Sequence, residues 1–177
     1  MTTTFQGPVR SLGGVYSQGP GAIVPVSTAT LTLSPAAHSG RLLNITVATT
    51  TITLPAVNAT ANPGSSGPGQ DPSTSNNLGA VYQFFLPSTA TAVKIITGTG
   101  DFLLGQLVIG ISATNPAGSI VMYGADGSTI RSINLNGTTT GGIAGSFINI
   151  VATAANTYMV YGTLIGSGTL ATPFATS

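Results

Sequence analysis

Apart from the tyrosines, the titratable side chains of this 177-residue chain are Arg10, Arg41, Lys94 and Arg131, Asp71, Asp101 and Asp126, and His38; glutamate and cysteine are absent. A nucleophilic triad would have to use His38, which stands in the turn-like setting SPAAHSG, and no G-x-S-x-G occurs anywhere in the chain. Paired carboxylates for glycoside hydrolysis would have to come from the three aspartates. Each of these lies beside Gly or Pro, where Asp commonly serves local turn hydrogen bonds. GTGDF at 98–102 lacks the second half of a G-x-G-x-x-G phosphate loop and the Lys and Thr of a Walker motif. ADGST at 125–129 lacks the alternating Asp or Asn ligands and the distal Glu of a calcium loop. The sequons at Asn44, Asn58 and Asn136 fall in a Thr-rich chain without an export signal and carry little weight. These residues predict a protein without catalytic machinery, metal or cofactor.

Charge narrows the function further. Only 4% of the residues are Asp, Glu, Lys or Arg, against about 25% in an ordinary soluble domain. A net charge of +1 supplies no basic stripe to neutralise phosphates, so no nucleic-acid partner is expected. Without cysteine there is no disulfide framework, and stability must come from packing. The opening MTTTFQGPVR has neither the basic region nor the apolar core of a secretory signal. The longest apolar run, FLLGQLVIGI at 102–111, is half the about 20 residues that a spanning helix needs, so no membrane insertion is expected.

The elements that must position these residues read as strands. In ATLTL (29–33), Ala29, Leu31 and Leu33 alternate with threonine. Leu43, Ile45 and Val47, then Ile52 and Leu54, do the same within SGRLLNITVATTTITLPA (39–56). Threonine here is a β-branched residue with a hydroxyl that needs no counter-ion. Further candidates are 80–86, 92–96, 102–111, 119–124, 128–135, 147–152 and 157–165, separated by turn signals such as TGTGD, TNPAG, GADGS and LNGTTTGG. In AVYQFFL, Tyr82 and Phe84 share one face and Phe85 takes the other, so both faces of that strand are expected to be covered, one by the partner sheet and one by another subunit. The expected fold class is all-β, a β-sandwich or jelly roll of roughly ten strands.

Two segments depart from this pattern. Residues 1–27 hold prolines at 8, 20 and 25 and read as an extended N-terminal arm, leaving 28–177 as the sandwich domain; residues 58–79 form a long, flexible Pro, Gly, Ser and Asn loop. The arm cannot bury enough apolar area to fold alone, yet it spaces Phe5, Val9, Leu12, Val15, Tyr16, Ile23 and Val24 along an extended path, with Arg10 among them. These are the expected partner-binding residues. They would dock on a sheet edge or groove of a partner, or fold back as an edge strand of their own sandwich.

The succession SGRLLNITVATTTITLPA, GAVYQFFL, KIITGTGDFLLGQL and TYMVYGTLIGSGTLATPFA, within residues 28–174, resembles the decoration or cement proteins of tailed bacteriophages, accessory proteins on the outside of the capsid. Many of those carry a Trp in the last strand, where this chain has Tyr158 and Met159. The resemblance implies a β-sandwich or jelly roll, a homotrimer, attachment to the major capsid protein on the outer surface of the virion, and no catalysis. The arm would then grip the capsid or a neighbouring copy. Similar modules occur in phage fibres and tails, so the alternative is a module that binds host surface glycan, with Tyr16, Tyr123 or Tyr161 as stacking platforms.

Overall fold

The computed structural model describes residues 23–59, 76–111 and 119–177. Phe5, Val9, Arg10, Leu12, Val15 and Tyr16 lie outside the described residues, as do positions 60–75 of the long loop. The described chain is a β-sandwich of two mixed sheets. The first runs β1 (Ile23–Val26), β3 (Leu42–Ile45), β5 (Val81–Phe85), β10 (Phe147–Ala154), β11 (Thr157–Gly166), β7 (Phe102–Ile111) and β8 (Ile120–Asp126) in spatial order. The second runs β12 (Phe174–Ala175), β9 (Ser132–Leu135), β6 (Ala92–Ile96), β4 (Thr49–Thr53) and β2 (Thr30–Thr32).

Parallel neighbours need a crossover connection, and this fold makes its early crossovers out of strands. β1, β3 and β5 run parallel in one sheet while β2, β4 and β6 run parallel in the other, so the chain returns each time through the opposite layer. Later strands pair mostly antiparallel, as in the β10–β11 hairpin, but β7 lies parallel to β11 over ten residue pairs. Ile23–Val26, counted with the arm in the sequence reading, is an edge strand of the seven-stranded sheet; Val26 is buried, Val24 packs against the core and Ile23 is exposed. The strand expected over 128–135 begins only at Ser132, because the Asp126 carboxylate holds residues 128–130 in a turn. His38 closes a one-turn helix, α1 (Pro35–His38), capped by the Ser34 hydroxyl, which accepts from the Ala37 N–H.

Alternation places one set of side chains from each sheet in the shared core, among them Leu43, Ile52, Ile95, Leu107, Ile109 and Ile148. Two core tyrosines meet edge to face with ring centroids 6.5 Å apart. The Tyr158 hydroxyl donates to the Pro55 carbonyl at 2.6 Å, whereas the buried Tyr82 hydroxyl has no partner. Burial pushes both phenols up, beyond the ordinary range for tyrosine. The pair predicts opposite mutational signs. Tyr82→Phe removes an unsatisfied polar group and should leave the melting temperature unchanged or raise it. Tyr158→Phe takes the donor from the half-buried Pro55 carbonyl and should cost about 1–2 kcal/mol, a fall of about 2–8 °C in a thermal melt.

Candidate docking surface

What alternation buries on one side it presents on the other, and the two outer surfaces of the sandwich differ sharply. The outer face of the five-stranded sheet carries Thr30, Thr32, Thr49, Thr51 and Thr53, with Lys94 and Asn134 beside them. A shallow depression of about 520 Å³ there is lined by Thr49, Thr51, Lys94, Asn134, Asn136 and Thr140, among others. Threonine faces water on this side.

The seven-stranded sheet is different. Of the eight large hydrophobic side chains exposed among the described residues, seven lie on its outer face: Ile23, Leu104, Ile120, Met122, Phe147, Met159 and Tyr161. Met122 is 61% exposed and Ile120 78%. Half-buried Leu42, Val81, Phe85, Val108 and Val151 fill the space between them. A shallow groove of about 430 Å³ runs over Leu42, Phe85 and Phe147, with Gln83 and Asn149 in its lining. Soluble monomers rarely expose a contiguous apolar patch beyond a few hundred Å².

Register orders this face into rows across the strands. Phe85 opposes Phe147, Phe147 opposes Thr163, then Val108 and Met122 follow on β7 and β8. Four residues away along the strands, Val81, Val151, Met159 and Leu104 form a second apolar row that ends at Asp126. Between them Gln83, Asn149, Tyr161 and Gln106 line up as a single polar row. Asp126 is the one charged side chain on this face among the described residues, and it sits on the edge strand.

The groups that could do chemistry stand apart and are occupied locally. Asp126 Oδ1 accepts from the N–H groups of Ser128, Thr129 and Ile130, and Oδ2 accepts from the Thr129 hydroxyl. Those bonds hold its carboxyl well below the usual range. His38 Nδ1 lies 3.0 Å from the Ser34 N–H within α1. Asp101 is buried just before β7, where Oδ2 accepts from the Val57 N–H at 2.9 Å and its carbonyl accepts from the Thr97 hydroxyl. Burial raises the Asp101 carboxyl above its ordinary value, against the opposing pull of the Val57 bond and Arg131. Arg131 stacks 5.7 Å from the centre of the Phe102 ring and donates to the Gly98 carbonyl. No cluster of three or more His, Cys, Asp or Glu occurs among the described residues.

The two aspartates act on stability with opposite signs. Asp101, with its folded value raised, contributes stability that is present below its unfolded value of 3.8 and is lost as the pH rises through the folded value. Asp126, with its folded value lowered, contributes stability present above 3.8 that is lost as the pH falls below it. Between pH 4 and 9 the melting temperature should therefore move by less than about 10 °C, with any decline on the rising side owed to Asp101. Asp101→Asn keeps the acceptor for Val57 and should remove that decline in a melt series across the same range.

Of the partner residues expected from sequence, the fold brings Ile23 to the edge of the apolar face, while Val24 beside it on the same strand packs against the core. Of the three tyrosines considered as sugar platforms, Tyr16 lies outside the described residues, Tyr123 packs against the core and Tyr161 stands in the polar row. The sequence shows strands apolar on both faces at 80–86 and 102–111, with Phe85 turned outward, but not the apolar and polar rows themselves. Strand parity could have supplied the other outward-facing residues, but not the register that lines residues up across strands. No helix among the described residues is long and apolar enough to cross a membrane. No protein-family model, curated protein or solved structure matches the chain.

Proposed function

We propose that this chain is a non-enzymatic structural protein of a virion, a decoration or cement protein that assembles with copies of itself on the outer surface of a capsid, binds the major capsid protein and stabilises the shell. The observation that carries the reading is the contrast between its two outer surfaces: a threonine-covered sheet opposite a sheet face with seven exposed large hydrophobic side chains. A protein that cements a shell needs one broad face that adheres, to the shell or to its own copies, and one inert face, and it needs both to tolerate changing salt and pH. An almost uncharged surface has few groups that respond to either. The resemblance of residues 28–174 to phage decoration proteins supports the same reading, which calls for no cofactor, nucleic acid or membrane.

The second reading, a tail- or fibre-associated module that binds host glycan, draws its support from Tyr161, a 44%-exposed ring beside two amide side chains, Asn149 and Gln106. Pelleting separates the two. The protein is expected to sediment with expanded, undecorated capsids and to stay in the supernatant with host cell-surface polysaccharide. Retention by the polysaccharide and not by capsids would reverse the choice.

A further inference from the structure

We propose that a second copy of this chain packs against the outer face of the seven-stranded sheet, row against like row; the proposal rests on the reading of that face as a docking surface and names its occupant. Size is the first argument. Seven strands at about 4.8 Å spacing and about 20 Å length give roughly 700 Å² in projection, near the about 800 Å² per partner of a standard interface. Charge is the second. The face offers no positive or negative field to select a foreign partner of opposite sign: its one charge, Asp126, is held by its own turn, and the whole chain carries +1.

The polar row is the third argument and selects an identical copy. Gln83, Asn149, Tyr161 and Gln106 occupy four adjacent strands, about 14 Å end to end, between two apolar rows. If the face is covered, these amides and the phenol lose water and need partners of matching height. Each can both donate and accept, so each is complementary to another of its own kind. A two-fold axis lying between two copies sets polar row on polar row and apolar row on apolar row without any further design. A buried amide in an apolar interface is a known device for fixing register, and this row would fix the register between copies.

The test is the mass of the isolated, full-length protein by light scattering at micromolar concentration, without capsids. The wild type is expected above the single-chain 17.5 kDa. Asn149→Asp sets like charges against one another in the row, so its mass should fall to one chain at neutral pH and rise again toward pH 4, as the protonated carboxyl regains a donor. Phe147→Asp should also be a single chain, while Thr51→Asp on the opposite sheet should keep the wild-type mass. Circular dichroism checks that each variant is folded. Should the Asp variants fail to fold, Thr163→Cys in this cysteine-free chain decides: a short bis-maleimide should join two chains through it, and not through Thr51→Cys. A single-chain wild type, unchanged mass in folded Asn149→Asp and Phe147→Asp, or cross-linking through position 51 instead of 163 would overturn the proposal. A single-chain protein that still pellets with capsids would sink self-packing and leave the capsid reading standing; an oligomer that ignores capsids would do the reverse.

Discussion

Gly105→Ala is expected to abolish the folded protein, with a loss of about 4 kcal/mol or more and little soluble yield. Gly105 lies in the middle of β7 with φ of +135°, a conformation that side chains with a Cβ rarely adopt. A methyl group there would run into the Val160 carbonyl oxygen on the adjacent strand β11. Backbone cannot swing aside as a flexible side chain can, and β7 and β11 are the two longest strands, paired along their full length. The clash would open the centre of the sheet, next to the pair Tyr161 and Gln106. Total stabilities of about 5–15 kcal/mol leave little reserve for such a loss. Gly40→Ala is the matched comparison: its φ is +72°, but nothing lies within 4 Å of the added methyl. It should cost only about 1–2 kcal/mol, from backbone strain alone. Urea midpoints of the two variants measure the difference. A Gly105→Ala protein as stable as Gly40→Ala would mean that the β7–β11 register is not as described.

The second large effect concerns the arm. Deleting residues 1–21 is expected to leave a soluble β-domain that melts cooperatively and no longer sediments with capsids. The cut stops short of β1 (Ile23–Val26), so the edge strand and its parallel pairing to β3 survive. What is lost is the spaced set Phe5, Val9, Leu12, Val15 and Tyr16, whose side chains need a surface to bury against. On the proposed reading, a sheet edge or groove on the capsid protein would supply main-chain hydrogen bonds for affinity and pockets for alternate side chains. If the truncated protein pellets with capsids as the full chain does, the capsid contact lies on the body of the sandwich instead.

Much of the fold can be read from the order of residues. Thr51 and Thr53 alternate with Ile52 and Leu54, and the structure turns the threonines out and the aliphatics in. Tyr82 and Phe84 point into the core and Phe85 away from it, as the parity of that strand requires. What parity cannot supply is the partner of each strand. Nothing in the alternation of 29–54 says that β2 lies beside β4, or that β3 lies beside β1 and β5, because parallel pairing through the opposite layer is a long-range outcome. The docking face has the same character. Phe147, Tyr161 and Met122 each look like ordinary strand residues, and only the register of four strands sets them side by side. Gly105 is equally silent in sequence, since a glycine inside an apolar run does not disclose the carbonyl it must avoid.

The outer face of the seven-stranded sheet is expected to be covered when the protein does its work. Methionine oxidation reads that directly, because Met122 and Met159 stand on this face at 61% and 39% exposure in the isolated chain. Peroxide converts an accessible thioether to a sulfoxide, and peptide mass spectrometry locates the added oxygen. In the native assembly, both residues should oxidise far more slowly than in the same protein unfolded in urea, with Met122, nearer the sheet edge, the faster of the two. Oxidation of both at the unfolded rate, in protein assembled with its copies and seated on capsids, would mean that the face stays open to water and that the account is wrong.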